Sequence, residues 1–339
     1  MRFTQRGLIL VSVAIAGLTP AATTMAATPS AAAGRLPAHP GNRCLRVVAT
    51  IPVGGFPLAA TVNPKTDTAY VVNNGTMTVS VINGRTNTVV ATIGVGSDPF
   101  GVAVDPKTNT AYVANGRGNT VSVISGRTDT VVATIHVRGD PDAVAVNPKT
   151  NTVYVADAIS NRVSVINGRT NTVVATIRVG RLPHGVAVNS KTDTAYVTNS
   201  LNNTVSVISG RTDTVVATIR VGHFPIGVAV NPAKRTVYVA NTFGHTVSVI
   251  NGRTGTVVVS IRVGQAPEGV AVNPAKKTVY VANSNSDTVS VINGRTDTVV
   301  ATVHVGLIPD GVATNPRTDT TYVANADDDT VSVIAPCRK

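Results

Sequence analysis

The chain contains no tryptophan and, among 339 residues, only five phenylalanines and seven tyrosines. Basic residues have no aromatic neighbours interleaved with them, so base stacking lacks a platform and a nucleic-acid role is not expected. Cysteine is limited to Cys44 and Cys337, with no CxxC pair, which leaves neither a zinc ribbon nor a dithiol redox motif. Helical periodicity is absent throughout. No nucleophile elbow, phosphate loop, dinucleotide fingerprint or zinc spacing occurs. Long apolar runs are scarce too: one, at residues 7–18, stands out. At about twelve residues it falls short of the roughly 20 that span a bilayer.

That run has the outline of a signal peptide. Arg2 and Arg6 supply a charged head, and Thr24, Met25 and Ala26 a small-residue cleavage site. Residues 1–26 are therefore expected to direct export, and 27–43, rich in Ala, Pro, Gly and Ser, to form a flexible leader. The mature chain is expected to be secreted or extracytoplasmic, with no membrane span after cleavage. It is also expected to be monomeric.

What the chain does have is repetition. Tyrosines fall at 70, 112, 154, 196, 238, 280 and 322, each 42 residues after the last, and these are all the tyrosines present. The same step carries Pro57, Pro99, Pro141, Pro183, Pro225, Pro267 and Pro309, and seven copies of Val-Ser-Val-Ile from 79–82 to 331–334. Within each period, short runs of Val alternating with Thr, Ser or Ala are separated by Gly, Pro and Asn, a pattern of strands and turns. A period of about 40 residues holding four short strands is the signature of a β-propeller. Residues 44–339 are thus expected to be all-β, a seven-bladed propeller.

The register of the chain ends predicts how such a ring closes. Val-Val-Ala-Thr-Ile at 47–51 matches the outer strand at 89–93, whereas the last repeat stops after its third strand. The N-terminal strand is expected to complete the C-terminal blade, removing two open sheet edges. Cys337 lies in the register of Arg295 and Cys44 in that of Thr86, so the two thiols meet in one turn. In an oxidising compartment a disulfide is expected.

Antiparallel strands send alternate connections to opposite faces. One face collects the Gly-Arg-Thr turns, with Arg85, Arg127, Arg169, Arg211, Arg253 and Arg295, and is strongly basic. It could hold an anionic cell-wall polymer. The other face collects the variable loops, with Phe56, Phe100, Phe224 and Phe243 among an excess of aspartates, and apolar groups exposed among loop charges mark a binding surface. At the mouth of the central channel, just before each first strand, the residues read Leu58, Phe100, Asp142, His184, Ile226, Glu268 and Asp310. Asp142, His184, Glu268 and Asp310 could converge on a divalent cation or serve as an acid–base pair. Otherwise they are solvated loop ends, and no cofactor is implied. The acidic run Asp327, Asp328, Asp329 lacks the glycine and distal glutamate of an EF-hand and reads as an acidic loop.

The tetrapeptide Tyr-Val-Thr-Asn at 196–199, with Tyr-Val-Ala-Asn at 112, 238, 280 and 322, resembles the YVTN-family β-propeller repeats over about residues 45–335. That resemblance implies an exported seven-bladed propeller of the kind in bacterial secreted and archaeal surface-layer proteins. It implies no reaction, because the shared motif is structural. The expected function is a non-enzymatic scaffold that binds a protein or glycan through its variable face. The alternatives are a metal-dependent hydrolase or lactonase-like enzyme at the channel mouth, and a polyanion binder using the basic face.

Overall fold

Valine-rich runs of six or seven residues, broken by turn residues, leave strands as the one regular structure the chain can form at length. The computed structural model describes residues 44–337 and arranges 28 strands, β1 to β28, as seven four-stranded antiparallel sheets. The expected signal peptide and leader lie outside the described residues. No helix among the described residues is long and apolar enough to cross a membrane.

The first blade runs outward from the channel as β2 (Pro57–Asn63), β3 (Thr68–Asn73), β4 (Thr78–Asn83) and β5 (Thr88–Gly94). The middle strands are buried almost end to end, because neighbouring blades cover both of their faces. The outer strand alternates exposed and covered residues along Thr-Val-Val-Ala-Thr, since only one of its faces has a neighbour. The turns at Asp67 and Asn87 sit at φ 57° and 55°, a left-handed conformation that Asn and Asp tolerate. Inner strands of adjacent blades pack against each other all the way round.

Blade-to-blade packing explains the tyrosines. Tyr70 is 1% exposed and shares an apolar cluster with Val102, Ala111, Val113 and Ile124 of the second blade. Burying each such ring contributes about 2–3 kcal/mol. The phenol reaches the Gly-Arg-Thr turn next door: Tyr238 Oη donates to Asp297 Oδ1 at 3.4 Å, and Tyr112 Oη to the Gly168 carbonyl at 3.5 Å. A Cβ at Gly84 would lie 2.7 Å from Tyr322 Oη, so the turn there has room only for glycine.

The ring closes as the register predicts. β1 (Leu45–Pro52) pairs antiparallel with β28 (Thr330–Pro336), outside β27 (Thr320–Asn325) and β26 (Pro309–Asn315). Cys337 N–H donates to the Cys44 carbonyl at 2.9 Å, and the two residues form a disulfide across 293 positions of sequence.

One buried polar position departs from the repeat. In six blades an asparagine ends the second strand, and its Nδ2 donates to a threonine and a serine of the third, as Asn73 does to Thr78 (3.0 Å) and Ser80 (2.9 Å). Asn115, Asn199, Asn241, Asn283 and Asn325 repeat the pattern. The third blade has Asp157 instead, accepting from Ser164 Oγ at 2.7 Å. Burial pushes this carboxyl up to about 7, against the lowering effect of its hydrogen bonds from Ser164.

Two outcomes are expected. Folded Asp157 holds its proton up to about pH 7 whereas the unfolded chain releases it near 3.8, so the stability from its neutral form is full below pH 4 and lost as pH rises through 7. Asp157→Asn should therefore melt increasingly above the parent between pH 4 and pH 8, by up to about 4 kcal/mol at the upper end. Calorimetry of both proteins across that range measures it; a constant gap would contradict the assignment. Replacing Cys44 and Cys337 by serine should lower stability by several kcal/mol, at most about 5–6 for so long a loop, visible as a fall in Tm that reductant reproduces in the parent.

Candidate functional site at the variable loop face

Each inner strand opens with the proline of the repeat, and the residue before it has left-handed backbone in every blade: Phe56, Asp98, Asp140, Leu182, Phe224, Ala266 and Ile308 have φ between 49° and 60°. This costs an L-residue roughly 1–2 kcal/mol, most plainly at β-branched Ile308. A compensating hydrogen bond comes from the preceding blade. The N–H of Leu182 donates to Asn161 Oδ1 (2.8 Å), that of Phe224 to Asn203 Oδ1 (2.8 Å), and that of Ile308 to Asp287 Oδ1 (2.9 Å). Across the ring closure, Phe56 N–H donates to Asp329 Oδ1 at 2.8 Å. Leu307 N–H likewise donates to Asp328 Oδ2 at 2.6 Å, so the acidic run is fastened to the loops beside it.

After the proline the ladder slips. Pro57 faces Asn73 but Ala59 faces Val72, which leaves residue 58 as the extra residue of a bulge. Bulges re-aim side chains, and this one recurs in every blade. Leu58, Phe100, Asp142, His184, Ile226, Glu268 and Asp310 are consequently the second residues of inner strands. The periodicity had placed them one position before the strands, as solvated loop ends. Instead all seven are 1–7% exposed: the bulge draws them into the fold.

The mouth is thus packed. On one side Leu58, Phe100, Ile308 and Ala326 form an apolar cluster, with half-buried Phe56 against it. Next round the ring, Asp142 Oδ2 and His184 Nδ1 lie 2.8 Å apart, and the imidazole is tilted 6.0 Å from Phe224. Phe224 stacks on Phe243 at 4.5 Å, and Phe243 lies 5.6 Å from His223. Burial raises the carboxyl of nearby Asp140, with Asp142 and Asp98 adding to the effect and His184 and Arg117 opposing it.

Of the eight candidate side chains, the structure brings together Asp142 with His184, and Phe224 with Phe243. Glu268 and Asp310 occupy the inner strands of adjacent blades, both buried. Among the described residues no three His, Cys, Asp or Glu gather closely enough to hold a metal ion. Among the described residues no group lies within hydrogen-bonding distance of His184 Nε2.

The expected phenylalanine surface needs correcting. Phe100 and Phe224 are buried, and only Phe243, at 47%, is well exposed. Exposed apolar groups of this face include Met77 and Leu307 singly, and a run at one loop register, which reads Gly75, Arg117, Ile159, Leu201, Phe243, Asn285 and Asp327 around the ring. Three consecutive blades therefore present Ile159 (68% exposed), Leu201 (43%) and Phe243. Reading that register as a column would have revealed Ile159 and Leu201; a search by residue type found only Phe243. On the opposite face the six Gly-Arg-Thr arginines are exposed, one to a blade.

Comparison with known proteins supports the architecture. Residues 223–328 match the model of the YNCE-like beta-propeller family, which is less than half of the chain. No curated protein sequence matches. Among solved structures, a chain of hydrazine synthase from Kuenenia stuttgartiensis is similar, with a TM-score of 0.74 and 21% identity over 84% of this chain and 96% of that one. At that identity the likeness is one of fold. These matches support a propeller family, and the finer YVTN resemblance rests on the motif alone. Thr198 of that motif bonds the Ile226 carbonyl at 2.7 Å, a structural use of it.

Proposed function

We propose that this protein is a non-enzymatic binding scaffold, secreted or displayed at the cell surface, that engages a protein partner through the arc formed by Ile159, Leu201 and Phe243. The observation that carries this reading is the apolar arc itself: three neighbouring blades expose large apolar side chains at a register the repeat leaves free. Exposed apolar residues grouped on a polar surface support macromolecular recognition. The packed mouth supports it too, since a broad surface suits a protein better than a small molecule. Asp327, Asp328 and Asp329 on one flank and Arg117 on the other would orient such a partner electrostatically. The Cys44–Cys337 disulfide supports an oxidising, extracytoplasmic setting. The hydrolase alternative gains nothing from a buried Asp142–His184 pair with no nucleophile beside it.

The test is capture of surface or secreted proteins by chemical cross-linking to the purified full chain, read by mass spectrometry. The parent should enrich a defined protein. A triple variant, Ile159→Ser, Leu201→Ser and Phe243→Ser, should lose at least about tenfold of that enrichment with Tm unchanged, as expected for a hot-spot cluster. Equal enrichment by both proteins would remove the arc from the reading.

A further inference from the structure

The seven repeats are closest to identical at positions that serve packing, so a group of such positions changing together in a single copy calls for a cause. Three do so in the third repeat. A glycine found at 54, 96, 180, 222, 264 and 306 is Arg138; an asparagine found six times is Asp157; a threonine found at 78, 120, 204, 246, 288 and 330 is Arg162. All three line one cavity of about 410 Å³, between the outer strand of the second blade and the third and fourth strands of the third. His136, Ser160, Ser164 and Thr176 complete its polar lining. The cavity one blade on has the same architecture but keeps Gly180 and Thr204. The groove thus belongs to the repeat; the neighbouring one is also basic, through Arg178 and Arg220, but this copy adds a carboxyl, Asp157, to its lining.

The charges of this copy are uncompensated among the described residues. Asp157 and Arg162 face each other as the end pair of their ladder, β11 (Thr152–Asp157) with β12 (Arg162–Asn167), yet among the described residues they form no ion pair. The Asp157 carboxyl bonds Ser164 instead; its Oδ1 is buried with no hydrogen-bond partner among the described residues, as is the matching amide Oδ1 of the other six blades, but here the atom belongs to a carboxyl. Arg138 and Arg162 are exposed at the rim, and neither has a carboxylate partner among the described residues. A buried carboxyl without a counter-charge is costly, whereas the asparagine of the other six blades carries no such charge. A residue kept against stability is a mark of a site.

We infer that this groove binds a small zwitterion, an α-amino acid, with its ammonium at Asp157 and its carboxylate at Arg138 and Arg162. The ligand supplies each charge that the site lacks. Facing residues at a ladder end place an aspartate and an arginine side chain within the reach of so small a molecule. The guanidinium fork suits a carboxylate, and the Ser160 and Ser164 hydroxyls offer further bonds to either end. This site is independent of the apolar arc.

The test is isothermal titration of the disulfide-bonded full chain at pH 8 with each of the common α-amino acids, and with acetate and methylamine as single-charge probes. At least one amino acid should bind, and both probes at least about tenfold more weakly, because each keeps one of two charge-assisted contacts. Asp157→Asn, Arg138→Gly and Arg162→Thr each restore the residue of the other repeats and so should fold; each should weaken binding at least about tenfold. Binding by no amino acid, binding unchanged in Asp157→Asn, or acetate binding as tightly as any amino acid would overturn the inference, the last in favour of a simple anion site.

Discussion

A blade of this kind carries apolar side chains on both faces of its middle strands, and only another blade can cover them. Tyr70, Val72, Val79, Val81 and Ile93 of the first blade meet Val102, Ala111, Val113 and Ile124 of the second, and an equivalent contact recurs between successive blades. Such a stack has no natural end short of closure, since an open ring would leave two faces and two strand edges in water. The pairing of β1 with β28, pinned by the disulfide, satisfies that requirement. It also places Tyr322 of the last blade against the first, where its hydroxyl crowds Gly84 as Tyr70, Tyr112, Tyr154, Tyr196 and Tyr238 crowd the glycine turns of their neighbours.

Because packing holds the body, the loops at one face are free to differ, though not entirely. The left-handed residue before each proline is strained in all seven copies, and in six of them it is held by a side-chain acceptor from the blade before it; at Asp98 that register is Met77. Much of the polar variation at this face serves that bond: asparagine, histidine and aspartate take turns as the acceptor. What remains for the proposed recognition is the column of positions that makes no such bond, where Ile159, Leu201 and Phe243 stand. Separating the two kinds of variation is what distinguishes a binding surface from a solvated one.

Spacing made the fold legible. Strand number, blade count, closure and the cysteine pairing all follow from a period of 42 residues and the offset of the chain ends within it. The site was less legible. Residues such as Asp142 and His184 were in the right column, but a one-residue bulge after the proline leaves no trace in hydropathy, and it turns that column from solvent into the fold. Phe100 and Phe224 misled for a related reason: an aromatic in a variable loop is exposed or buried according to what neighbouring blades place beside it.

The amino-acid sequence by itself determined the architecture, because a repeat of strands and turns admits one way to bury its own faces and periodicity counts the copies. The departures of the third repeat, Arg138, Asp157 and Arg162, are also written in the sequence, but they stood out only once the cavity grouped them. Only the tertiary structure decided that these three residues line one cavity, that Asp142 meets His184, and that Ile159, Leu201 and Phe243 share one exposed arc. Each of those facts joins residues from different strands or blades, and their distances are set by bulges, side-chain direction and the turn of the ring, none of which a linear pattern encodes.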